Sequence, residues 1–207
     1  PSVSSIYEAT TSMEGVLCLA ISQSGRSPDL LAWGQAVADA GGFVVALVND
    51  VDSPLARQAH LTLPLHAGPE LSVAATKSYI CSLSAICQLT AVWSDDSALC
   101  QAMETLPALL ERAWVLPWDA ALPALVEARG LYVIGRGLGF GIAQEAALKL
   151  KETCGLQAEA FSSAELRHGP MALVGPGFPV VALAQDDESR EGVEDAASIC
   201  AAQGARV

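Results

Sequence analysis

The chain has 207 residues, of which 52% are hydrophobic and 16% charged, a balance that excludes a disordered tail and leaves one to two domains with a core of their own. Its net charge of −12 excludes generic binding to nucleic acid or an anionic membrane surface, because a strongly acidic chain repels phosphate backbones. No apolar run approaches the ~20 residues of a membrane span, and the opening PSVSSIYEAT lacks the basic start and apolar stretch of a signal peptide, so a cytoplasmic location is expected.

In chain order, short apolar runs alternate with longer helical patterns. Strands are expected at 16–21, 43–48, 61–65, 131–134 and 179–184. Each run is apolar on both faces, as a strand covered by helices on two sides must be. Helical periodicity fills 29–40, 53–60, 72–93, 98–113, 120–128, 140–154 and 188–203. This alternation predicts a doubly wound α/β fold, with helices on both sides of a parallel sheet. The stretch 114–119, with Pro117, reads as a connection, which gives a first domain at 1–115 and a second at 116–207.

The two halves look like repeats. In each, a strand ends, a polar turn follows and a helix begins: Ser22-Gln23-Ser24-Gly25 in the first, Gln185-Asp186-Asp187-Glu188 in the second. The second half has an earlier strand, turning at Gly135 roughly 50 residues before its later one, and the first half has no room for its counterpart. The second half also stops where the first continues into the strand 43–48. The expectation is an ordered portion of a longer chain, cut at both ends.

The cysteines Cys18, Cys81, Cys87, Cys100, Cys154 and Cys200 include no C-x-x-C, and several sit inside strand or helix patterns. They are expected to be buried reduced thiols rather than disulfides. No metal site and no cofactor is expected.

The segment Ile21–Asp29, ISQSGRSPD, joins a strand to a helix with Pro28 near its first turn. Backbone N–H groups and the hydroxyls of Ser22, Ser24 and Ser27 can converge there on an anion. An ordinary serine-capped turn has the same local appearance. The acids of 186–188 would repel phosphate, so only the first half looks equipped for one. The turn Gly135-Arg136-Gly137-Leu138-Gly139-Phe140-Gly141 does not fit G-x-G-x-x-G and reads as glycines that allow close strand–helix packing.

On the pattern 140–154, Glu145, Lys149 and Glu152 share one face. Such a set provides either a base tuned by its ammonium neighbour or a solvated Glu–Lys pair. The following stretch, Gln157 to Pro170, is rich in functional groups and poor in regular pattern, and His168 precedes Gly169-Pro170, which fixes a turn. His60 and His66 are expected to be structural or solvated.

Four motifs occur in order: ISQSGRSPD, AGPELSVAATKSY (67–79), EAALKLKE (145–152) and AEAFSSAELRHGP (158–170). Together they resemble the tandem sugar isomerase (SIS) family, in particular its glucosamine-6-phosphate deaminases and the isomerase half of glutamine–fructose-6-phosphate aminotransferase. The resemblance implies two three-layer SIS domains and a small sugar phosphate as ligand. It implies that Ser22, Gln23, Ser24 and Ser27 hold the phosphate, and that Val73, Ala74 and Ala75 line the sugar site. It further implies that Glu152 moves a proton between C1 and C2, that Lys149 stabilises charge on the sugar oxygens, and that His168, contributed across a homodimer interface, assists ring opening. A deaminase/isomerase acting on glucosamine-6-phosphate is expected first. The isomerase part of the aminotransferase is the alternative, and a non-catalytic sugar-phosphate sensor is a third. Ala75 and Arg167 depart from the aminotransferase pattern of serine and lysine, and a C-terminal lysine tail is not among these residues.

Overall fold

The computed structural model describes residues 6–7 and 11–207, which divide into two compact units between Trp114 and Val115. In the first unit, β1 (Leu17–Ser22), β2 (Phe43–Val48) and β3 (Leu61–Pro64) form a parallel sheet in the order β1-β2-β3. The helices α1 (Pro28–Asp39) and α2 (Pro54–Gln58) connect them, followed by α3 (Lys77–Trp93) and α4 (Ser97–Trp114). The side-chain period of two divides β2 between two cores. Val44, Ala46 and Val48 pack with Val37 and Leu55 of the connecting helices, whereas Val45 and Leu47 face Cys81, Ala85 and Ile86 of α3. The unit is therefore a sheet between two helical layers.

In the second unit, a 3-10 turn and the short α5 (Leu122–Leu125) lead to β4 (Gly130–Gly135), α6 (Leu138–Cys154), β5 (Gln157–Ser162), β6 (Val180–Ala182) and α7 (Arg190–Ala202). The sheet order is β5-β4-β6, all parallel. Leu131 and Val133 of β4 pack on Ala143 and Ala147 of α6, while Tyr132 and Ile134 face Val193, Ala196 and Cys200 of α7. The chain leaves β4 towards β5, then returns to its other side at β6. That reversal places a crevice at the carboxyl ends of the strands.

Two expectations are corrected. The stretch after α6 is not irregular: Gln157–Ser162 is an edge strand, partly exposed, so it carries no continuous apolar run. The cysteines are all free, but only Cys200 is buried; Cys87 and Cys154 lie exposed on helices. Several helical patterns are also shorter than expected. α3 begins at Lys77 rather than at 72, and α5 is a single turn following Trp118–Ala121. No helix among the described residues is long and apolar enough to cross a membrane.

Candidate functional site

The first-half loop leaves β1 and enters α1 under close constraint. Gly25 has φ +60, and a Cβ there would lie 2.2 Å from Oγ of the fully buried Ser53, so only glycine fits. The Gly25 carbonyl accepts from Leu55 N–H at 3.1 Å, and the Gln23 carbonyl from Asp50 N–H at 3.3 Å. Arg26 reaches the Asp50 carboxylate at 2.7 Å, a bond that holds the Asp50 pKa below the ordinary aspartate value. Ser22 Oγ accepts from Gly25 N–H at 3.0 Å, closing the turn. Ser27 occupies the N-cap position of α1, yet its side chain makes no capping bond. The N–H groups of Ser24, Arg26 and Ser27 meet no acceptor among the described residues. Donors are thus left over at the start of a 12-residue helix, an arrangement suited to an anion.

The second motif forms a turn ahead of α3. Val73 is 96% exposed, Ala74 is buried, and Ala75 N–H donates to the Val73 carbonyl at 2.9 Å. Sequence reasoning missed Glu70. Its carboxylate accepts from the backbone N–H groups of Thr76 (3.0 Å), Lys77 (2.8 Å) and Ser78 (3.0 Å), and from the buried Ser78 hydroxyl. Partial burial opposes ionisation, but these donors, Ser78 Oγ foremost, bring the Glu70 pKa down to about 2. Glu70 thereby fixes where α3 starts and how the turn before it is held.

In the second unit, Lys149 Nζ lies 2.5 Å from Glu152 Oε2 and 3.3 Å from Glu145 Oε1 on one face of α6. The side chains are only 21%, 29% and 20% exposed respectively, so this is not a freely solvated surface pair. Desolvation disfavours the ammonium, yet hydrogen bonds to Glu152 and Glu145, and their charge, hold the Lys149 pKa above the ordinary lysine value. A carboxylate fixed beside a permanent cation can take up a carbon-bound proton while the cation stabilises the oxyanion that develops.

His168 ends a 3-10 turn at Glu165–His168 and is exposed. Among the described residues no hydrogen bond or ion pair joins it to Lys149 or Glu152. Instead it lines a cavity of about 480 Å³ with Arg136, Ser163, Arg167 and Asp195. The other histidines include a structural one: His60 Nδ1 accepts from Val44 N–H at 3.0 Å, with its ring stacked on Phe43. Gly135, the last residue of β4, does serve close strand–helix packing, since a Cβ there would lie 2.6 Å from the Gly139 carbonyl oxygen, whereas Gly141 faces open space. Among the described residues no cluster of three or more His, Cys, Asp or Glu could hold a metal.

Two helix-covered parallel sheets, the first with a βα turn that leaves donors over, define an α/β protein. The SIS domain profile matches residues 4–92 and 124–207, so the chain belongs to the SIS domain family. Relatives include the glutamine–fructose-6-phosphate aminotransferases of Thermotoga maritima, 37% identical over 87% of this chain and 32% of that protein, and of Thermococcus kodakarensis, 42% identical over 81% and 30%. The chain spans about a third of the length of these curated relatives. Among solved structures, one from Silicibacter pomeroyi DSS-3, provisionally described as a phosphosugar isomerase, superimposes with a TM-score of 0.95 at 44% identity, covering 100% of this chain and 63% of that one. The C-terminal domain of glucosamine-fructose-6-phosphate aminotransferase from Francisella tularensis gives 0.88 at 30% identity, covering 99% and 61%.

Proposed function

We propose that the chain carries the isomerising chemistry of an amino-sugar-phosphate enzyme, converting glucosamine-6-phosphate to fructose-6-phosphate and ammonia. The observation that carries this reading is Lys149 held between Glu145 and Glu152 on one partly exposed face of α6. In this scheme Ser22, Gln23, Ser24 and Ser27 bind the phosphate, and Val73, Ala74 and Ala75 border the sugar. His168, supplied by the partner protomer of a homodimer, assists opening of the ring. Glu152 removes the proton from C2 of the open chain, and the C2–H electron pair forms a C1–C2 double bond as the C1 carbonyl oxygen gains charge. Lys149 stabilises that oxygen. Return of the proton to C1, with one N–H proton passing to the charged C1 oxygen, gives the 2-imine of the ketose, and water adds to C2 to release ammonia.

A second reading is favoured by the names of the relatives: the chain is the isomerase part of a glutamine–fructose-6-phosphate aminotransferase. Ammonia and fructose-6-phosphate, measured separately on the complete protein, separate the two. Deamination needs no glutamine, whereas synthesis consumes it. Both require hydrogen to move between C2 and C1, read as transfer or loss of deuterium placed at C2 or C1 of the sugar. We expect Glu152→Gln to slow that movement by about 10²–10⁴-fold, the usual weight of a general base. A wild-type protein that neither transfers nor loses the label of any hexose 6-phosphate would sink both readings.

A further inference from the structure

The cavity beside His168 holds features that the proposed chemistry does not use. Ser163 is 2% exposed, and its Oγ has no hydrogen-bond partner among the described residues. A buried hydroxyl left unpaired is costly, so it points to a missing partner. The guanidinium of Arg136 also meets no carboxylate among the described residues. Both groups converge on Gly192, the third residue of α7. A Cβ at Gly192 would lie 3.6 Å from Arg136 Cδ, 3.9 Å from Arg136 Nε and 3.8 Å from Ser163 Oγ. The N–H groups of Glu191 and Gly192, in the first turn of this 13-residue helix, meet no acceptor among the described residues.

Of the acids on and before α7, Asp195 pairs with Arg167 and Asp186 with Arg190, whereas Asp187, which accepts from Ser189 N–H and Oγ, and Glu188 and Glu191, which pair with no cation among the described residues, keep their charge. The expectation that these acids repel phosphate therefore holds at long range, and attraction to an anion here is the short-range contribution of Arg136. It stands at the carboxyl ends of the strands, where the sheet order reverses between β5 and β6.

We propose that Arg136, Ser163 and the first turn of α7 form a second oxyanion site, taking the phosphate group of a small phosphorylated metabolite. A guanidinium, a hydroxyl and backbone N–H groups match a tetrahedral oxyanion with several acceptors. The cavity, at about 480 Å³, has room for more than the phosphate group. This site lies in a different unit from the Ser22–Ser27 loop and does not depend on that loop binding phosphate.

The test is titration of the isotope-labelled chain with inorganic phosphate and with fructose-6-phosphate, against chloride at matched ionic strength. The amide resonances of Ser163 and Gly192 should shift saturably with both ligands, and at lower concentration with the sugar phosphate. Arg136→Gln should weaken this by about tenfold or more, the scale of one lost charge-assisted contact. Gly192→Ala should abolish it while unfolding no earlier than wild type, since alanine favours the helix and its Cβ meets only ordinary contacts. Ser24→Ala should leave these shifts unchanged, so failure of the first-loop reading is seen separately. Shifts that are absent, that never saturate, or that keep wild-type affinity in Arg136→Gln would overturn the site. Equal affinity for both ligands would overturn the metabolite.

Discussion

Glu70 shows how one side chain sets the geometry of a loop. Its carboxylate replaces the partners that the first N–H groups of a helix lack. The folded pKa of about 2 lies below the ordinary 4.5, so its stabilisation is complete above pH ~4.5 and drains away as the pH falls towards about 2. We expect Glu70→Gln to lower stability at neutral pH by about 1–2 kcal/mol, the upper range for a lost helix cap. The gap between wild type and variant should close across that acidic window, as read by denaturant unfolding at several pH values. A gap that stays constant down to the lower limit would mean that the carboxylate's charge is irrelevant. The residues of this clamp were in view in the sequence, within AGPELSVAATKSY. The contact was not legible, because it joins Glu70 to N–H groups six to eight positions away through an irregular turn. The cluster of Glu145, Lys149 and Glu152 was legible, because helical spacing alone puts the three on one face.

Strands that carry an apolar run were the readable ones, β1 and β3 at the edges of their sheet included. β2 spans Phe43–Val48, the apolar run in the sequence, because helices cover it on both sides. β5 was unreadable for the opposite reason: it keeps Gln157 and Glu159 exposed, so its pattern resembles a polar loop. Ser163, directly after that strand, could not be placed without it. The turn between β4 and α6 shows what the glycines there do. A Cβ at Gly135 would strike the backbone of Gly139 at 2.6 Å, which cannot swing away. At Gly139 the obstacle is Oε1 of Gln185 at 2.9 Å, the end of a flexible side chain. Gly135→Ala should therefore destabilise by about 1–3 kcal/mol, as overpacking does. Gly139→Ala should cost less, since the side chain adjusts and alanine favours the helix. Equal losses in thermal unfolding of the two variants would show that the close approach of β4 and α6 is not what selects glycine.

At the scale of the whole molecule, the charge of −12 opposes the sugar phosphate proposed as its ligand. A phosphosugar dianion approaches against long-range repulsion, which salt screens over about 10 Å at 0.1 M. The first loop offers little compensating charge, because Arg26 is tied to Asp50 at 2.7 Å. Binding must then come from short-range hydrogen bonds of serine hydroxyls and backbone N–H groups, which salt leaves nearly intact. The sign of the salt dependence follows. Raising salt from about 20 mM to about 200 mM should leave the KM for a hexose 6-phosphate unchanged or lower it up to a few-fold. A protein that gripped phosphate with free lysines or arginines would lose affinity steeply over the same range, as nucleic-acid binders do. Initial-rate measurements across that range decide between the two. A KM that climbs with salt would show that unpaired cations, rather than the neutral donors of ISQSGRS, carry the phosphate.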